Sequence, residues 1–271
     1  KPSIGQILGI DSLRLFKSPS YSVFMLCSFL LCIPLAGYYA SARNFVEASN
    51  AIVNGSATFT MSFGQMSEIF FMVTMPLFFA RLGVKWMLIA GMGAWVLRYG
   101  LFAMGADDQI MWMILLGVIL HGICYDFFFV TGQIYTDQVA PKAIRSQAQG
   151  LLVLFTLGLG MMIGAQVAGR VEAHYTPPET AQLNDQATAL LDTITDDMTD
   201  AVKKPIEDQA AALQLSALQA IDWKGIWMIP AGAAALVMVI FFVLFKDDRP
   251  ESEPEEEVAA SGEPEQTPEA G

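Results

Sequence analysis

Charge is scarce in this sequence. Only 15% of its residues are Asp, Glu, Lys or Arg, where a typical soluble domain carries about 25%. Cysteine is scarce as well. Cys27, Cys32 and Cys124 all sit inside apolar runs, and an odd number so placed excludes a disulfide framework and reads as small hydrophobes rather than metal ligands. No HExxH and no GxGD occurs, which argues against an intramembrane protease, so no enzyme is expected. No basic groove for nucleic acid is visible. The chain opens at Lys1 with neither Met nor a signal-peptide pattern. That opening is the one expected of a fragment.

Apolar residues are abundant instead, at 54% of the chain, with a mean hydropathy of +0.45. They come in runs of about 20 or more, each long enough to cross a hydrocarbon core of roughly 30 Å. The runs do not alternate as the strands of a membrane barrel would. The expectation is an all-α polytopic membrane protein with six transmembrane helices, at roughly 21–42, 58–80, 85–104, 109–132, 147–169 and 225–245. Residues 1–20 read as a cytoplasmic connector and 21–169 as the first five helices. Residues 170–224 read as an acidic outer-face loop, either a short helical cap or a solvated spacer, with Pro205 breaking its helical pattern. Residues 225–245 read as the last helix and 246–271 as a disordered acidic tail. Much of the net charge of −12 belongs to the outer loop and the tail.

Basic residues in short connections set membrane orientation. Lys1, Arg14 and Lys17 fall on the same side as Arg81 and Lys85, Lys142 and Arg145, and Lys246 and Arg249. The opposite side offers Arg43 and the uncharged-to-acidic GADDQ. Both ends of the chain are therefore expected in the cytoplasm.

Two acids lie near the middle of apolar spans, Glu68 and Asp126. A charge at the bilayer centre costs about 2.5–3.5 kcal/mol even on mild insertion scales, so such acids mark substrate sites or proton relays. Gln65 and Glu68, three residues apart, share one helix face. They could grip hydroxyls or a heterocycle edge, or Glu68 could clamp Arg98 of the next span. Tyr125 and Asp126 place a ring beside an acid, suited to a planar solute with polar edges. His121 shares the face of Tyr125 at i, i+4 spacing; it is a relay member, a substrate contact or a satisfied interior histidine. Phe127, Phe128 and Phe129 read as lipid-facing packing, and Trp95 and Tyr99 as packing around an Arg98 that neutralises an acid. Tyr38 and Tyr39 are cavity candidates or interfacial anchors. Thr131 and Gln133 line a polar path or act as interhelical glue.

Six spans with a connector in front and a basic turn, ARLGVKWML, between the second and third outline one half of a major facilitator transporter. GQMSEIFFMVTMPLFFARLGVKWMLIAGMGAWVLRYGLFA, LHGICYDFFFVTGQIYTD and DWKGIWMIPAGAAALVMVIFFVLFKD resemble the bacterial nucleoside:proton symporter family of that superfamily, in its C-terminal six-helix half. The resemblance implies nucleoside transport by proton symport across the bacterial inner membrane, with protons as the coupling ion and no other cofactor. It implies substrate roles for Gln65, Glu68, Tyr125 and Asp126, with Glu68 and Asp126 serving proton coupling. His121 falls where the family has an aromatic contact, and Tyr39, with Tyr38, stands in for polar contacts of the first span. The implied partners are a nucleoside, the lipid bilayer and an N-terminal six-helix half. Residue by residue, two alternatives stay open: a transporter of another small polar solute such as a sugar, and a non-transporting receptor or scaffold.

Overall fold

The computed structural model describes residues 10–49 and 51–247. The acidic tail from residue 248 onward, with Arg249, and the first nine residues of the connector, Lys1 included, lie outside the described residues. Among the described residues all elements are helical: a 3₁₀ turn at Ile10–Lys17, then α1 (Pro19–Ala48), α2 (Ala57–Ala106), α3 (Met111–Val139), α4 (Lys142–Tyr175), α5 (Pro178–Leu191), α6 (Asp200–Gln219) and α7 (Trp223–Leu244).

Sequence signals start these helices. Ser18 caps α1 by accepting from the Tyr21 amide at 3.3 Å, with Pro19 at the first helical position, where its missing N–H costs nothing. Ser56 caps α2 through the Phe59 amide at 3.2 Å, and Asp222 caps α7 through the Gly225 amide at 2.8 Å.

Five helices, α1, α2, α3, α4 and α7, are long and apolar enough to cross a membrane. Six spans were expected, and the difference lies in α2. It holds 50 residues, about 75 Å at 1.5 Å per residue, more than twice a hydrocarbon core. Gly83 interrupts it with φ 65° and ψ −179°, a conformation essentially confined to glycine. The chain folds back there, and α2 becomes two arms, 57–82 and 84–106.

The arms are held by what packs between and beside them. α3 lies against both, and α7 packs on the second arm and on α1. α4 packs along α1. An aromatic cluster fills the seam of α1, α2 and α7: Trp227 stacks on Tyr99 at 5.9 Å, tilts against Phe102 at 5.0 Å and meets Phe45 edge-on at 5.4 Å. Trp95 and Tyr99 are buried in this core, as packing residues. Lys85, just past the Gly83 turn, donates to the Phe245 carbonyl at 2.7 Å. A cation at a helix C-terminus is favourable, and the bond ties the basic turn to the end of α7.

The phenylalanine run is not lipid-facing. Phe127 and Phe128 are 4% and 1% exposed. Phe127 packs on Phe71 and Phe78 of the first arm, and Phe128 on Trp95 of the second. The cause is a π-helical turn at Asp126–Val130: its wider spiral lets consecutive rings spread over the side facing α2. The exposed apolar positions lie elsewhere, at Val73, Leu77, Leu236 and Val243 among others.

Residues 170–224 are largely helical, in keeping with the helical-cap alternative rather than with a solvated spacer. α4 continues to Tyr175, and α5 and α6 make an antiparallel hairpin closed over buried Ala187, Ala210 and Ala217. Pro205 does not break the pattern. It sits in the second turn of α6, where it gives up one i→i−4 bond, and the helix continues through it to Gln219. The hairpin leans on α1, with the Gln219 side-chain amide 3.5 Å from the Ala48 carbonyl.

Candidate functional site

The site is built where α3 comes closest to the first arm of α2. At Leu120 the α3 backbone loosens, with ψ at −8°. Beside it, the Ile119 carbonyl and the Gly122 amide both face the first arm of α2. Ser67 takes both: its Oγ lies 2.6 Å from the Ile119 oxygen and 3.0 Å from the Gly122 nitrogen. The approach needs glycine at 122, since a Cβ there would meet the Ser67 carbonyl carbon at 2.5 Å and the Glu68 nitrogen at 2.6 Å. This contact sets His121 opposite Glu68, one residue along on each helix.

Around that junction lies a cavity of about 350 Å³, lined by Gln65 and Glu68 of α2, His121 and Tyr125 of α3, and Tyr38, Tyr39 and Arg43 of α1. Its size falls at the lower end of the roughly 300–1,000 Å³ range of small-molecule sites. Gln65 is exposed to it and Glu68 half-buried. Tyr39 is 56% exposed and meets Tyr38 edge-on at 5.7 Å. Tyr125 packs between His121, at 6.1 Å, and Phe129, at 5.3 Å. The wall thus combines amide, carboxylate, imidazole and three phenols with flat ring surfaces. Such a set can hydrogen-bond hydroxyls and stack on a planar ring at once.

Asp126 is placed differently. It opens the π-helical turn, is 0% exposed, and is absent from the cavity wall. Neither carboxylate oxygen has a hydrogen-bond partner among the described residues. Of the six residues singled out from the sequence, five surround one cavity and Asp126 lies sealed beside it.

Arg98 does not clamp Glu68. The guanidinium is completely buried, and among the described residues no carboxylate pairs with it. Its Nη1 lies 3.0 Å from His121 Nδ1, and its Cζ sits 3.6 Å above the Tyr38 ring. His121 stacks on the same Tyr38 ring at 5.9 Å and turns its Nε2 toward Glu68 Oε2, 3.7 Å away. The imidazole therefore stands between the buried cation and the acid. Thr131 is fully buried and Gln133 exposed, so the two do not share a path; the Gln133 carbonyl accepts from Gln149 at 2.8 Å. Sequence reasoning overlooked Ser67 and left Tyr38 undecided. The available signal for Ser67 was a small polar residue directly before Glu68, with a glycine after His121 on the partner helix.

A helical bundle with long apolar surfaces defines an integral membrane protein, and a polar chamber opens at mid-helix depth within it. Among the described residues no cluster of His, Cys, Asp and Glu could hold a metal ion. The chain belongs to the nucleoside H+ symporter family, whose sequence profile matches residues 1–250, a family of transporters rather than enzymes. It is 32% identical over 250 residues to the putative nucleoside transporter YegT of Escherichia coli (strain K12), covering 91% of this chain and 50% of that protein. It is 28% identical over 253 residues to the xanthosine permease of the same organism, covering 90% of this chain and 51% of that one. A crystal structure of the nucleoside transporter NupG superposes with a TM-score of 0.66 at 26% identity, over 90% of this chain and 53% of NupG. The chain spans about half the length of the relatives it matches.

Proposed function

We propose that this chain is the C-terminal half of a nucleoside transporter of the bacterial inner membrane that moves its solute by proton symport. The observation that carries this reading is the polar chamber of about 350 Å³ set among apolar helices. On this reading Gln65, Glu68, His121, Tyr125 and Tyr39 contact the nucleoside, with a phenol ring against the base and the amide and carboxylate on ribose hydroxyls. Glu68 and Asp126 serve the proton. An acid kept from water is costly in its charged form, so taking up a proton lowers the cost of turning the chamber across the membrane. The N-terminal half of the transporter supplies the opposite wall, and rocking of the two halves gives alternating access.

The chain crosses the bilayer six times on this reading, because the two arms of α2 each suffice for one crossing and turn back at Gly83. Both ends then face the cytoplasm. The Lys85 bond to the Phe245 carbonyl supports that assignment, since it brings the basic turn and the end of α7 to the same side.

The test is uptake of radiolabelled uridine by the intact transporter at several outer pH values, with and without an uncoupler. Uptake should rise as outer pH falls and collapse with the uncoupler. Uptake indifferent to both removes the coupling. Competition by sugars but not by nucleosides replaces the solute.

A further inference from the structure

We infer that Arg98 is a positioning residue: it holds His121 as a neutral imidazole with its proton on Nε2, aimed at Glu68, so that His121 orders the carboxylate and does not carry the transported proton. The inference rests on the nucleoside-site reading of this chamber and assigns a part within it.

Arginine only donates. Its guanidinium has five N–H groups, no acceptor, and does not lose its charge in proteins. With Arg98 Nη1 at 3.0 Å, His121 Nδ1 has to be the acceptor of that bond. An imidazole that accepts at Nδ1 and is neutral carries its proton on Nε2. A second proton on Nδ1 would set N–H against N–H beside a permanent cation, in a place where burial leaves little water to screen them. The groups facing His121 complete the arrangement: Arg98 and Glu68 from the two arms of α2, Tyr38 from α1, and Tyr125 from its own helix. Tyr38 holds both partners flat, with the guanidinium 3.6 Å above its ring and the imidazole stacked at an interplanar angle of 21°. Nε2 is left one direction to point, toward Glu68 Oε2 at 3.7 Å. That is beyond hydrogen-bond distance, so the two groups face each other, and a bond forms only when the Glu68 side chain moves closer. A relay member has to accept and release a proton at the site facing the acid; here that nitrogen already bears one and the other is occupied by arginine.

Two measurements on the intact transporter test this. The first is a double-mutant cycle of Arg98→Met and His121→Phe, read as uridine KM and maximal rate at matched protein levels. Arg98→Met should raise KM about tenfold, the order of one charge-assisted hydrogen bond, with maximal rate changed under about threefold. In the His121→Phe background the same substitution should add under about twofold. An equal increase in both backgrounds overturns the inference and makes Arg98 structural. As a nucleoside contact, His121→Phe should itself raise uridine KM, yet at saturating uridine its accumulation should still follow an imposed proton gradient; binding without gradient-driven accumulation also overturns the inference. The second measurement needs no functional variant. In the ¹⁵N-histidine NMR spectrum, the signal pair lost in His121→Gln should show an unprotonated Nδ1 and a protonated Nε2 at neutral pH. The opposite tautomer, or a doubly protonated ring, refutes the assignment even if Arg98→Met fails to fold. The expected tautomer in a protein that carries no nucleoside would overturn the functional reading alone.

Discussion

The close approach of α3 to α2 at Gly122 can be broken by a single methyl group. In Gly122→Ala the new Cβ would lie 2.5 Å from the Ser67 carbonyl carbon and 2.6 Å from the Glu68 nitrogen, where ordinary contact begins near 3.4 Å. The obstacles are backbone atoms, which cannot rotate aside, so the helices must separate by about 0.9 Å locally. Overpacking of this kind costs about 1–3 kcal/mol. The same displacement stretches the Ser67 links, now 2.6 and 3.0 Å, to or past the limit of hydrogen bonding. Each lost bond adds about 1 kcal/mol, for a total of about 2–5 kcal/mol. Glu68 would retreat from His121 as well, so nucleoside KM should rise along with the loss of stability. The control is Gly100→Ala in the second arm of α2, where a Cβ meets nothing within 4 Å; the helical preference for alanine makes it neutral or stabilising by up to about 1 kcal/mol. Thermal unfolding of the purified intact transporter in detergent, with uridine uptake by the same variants, reads both effects. Equal melting temperatures and equal KM values for the two variants would refute the reasoning.

Other perturbations follow from the same geometry. Gly83→Ala forces a side chain into φ 65°, ψ −179° and should cost roughly 1–3 kcal/mol, seen as a lower melting temperature with nucleoside affinity retained in the protein that folds. Lys85→Met removes the bond to the Phe245 carbonyl and should lower thermal stability by about 1 kcal/mol, an effect unchanged when α5 and α6 are cleaved by limited proteolysis. Glu68→Gln should raise the nucleoside Kd about tenfold, whereas Asp126→Asn should change it under about threefold, because only Glu68 lines the chamber; equilibrium binding of labelled uridine to the purified variants decides between them, and the reverse order would sink the placement.

Much of this architecture was legible in the residues. Apolar runs of crossing length located the membrane helices, and the glycine in ARLGVKW falls where α2 turns back on itself. The i, i+3 spacing of Gln65 and Glu68 and the i, i+4 spacing of His121 and Tyr125 put each pair on one face, and each pair lines the chamber. What the residues hid depends on contacts between helices. Arg98 and Glu68 lie on the two arms of α2, and opposite charges in a membrane are expected to pair directly. The Gly122 approach brings α3 in so closely that the His121 ring occupies the space between them. The burial of Phe127 and Phe128 depends on a π-helical turn, and an apolar sequence reads the same whether its spiral has 3.6 residues per turn or more.

The two intramembrane acids that looked alike in the sequence have different surroundings, and those surroundings bear on which does what. Glu68 faces the chamber, with an imidazole donor held toward it and water or solute able to reach it. It can exchange one partner for another as cargo enters. Asp126 sits one residue beyond Tyr125, at the start of a π-helical turn, with both oxygens enclosed and unpartnered. A carboxylate so placed gains nothing from its charge in this arrangement. It gains a partner only if the turn shifts register or another part of the transporter presents a donor. π-helical turns inside α-helices are often sites of functional adjustment, and here a change of one residue in register would rotate Asp126 by roughly 100°. On the proposed reading, Glu68 therefore answers to the solute and Asp126 to the state of α3. Coupling between cargo and proton then requires no direct contact between the acids, only that the chamber holding Glu68 and the turn holding Asp126 belong to the same helix pair.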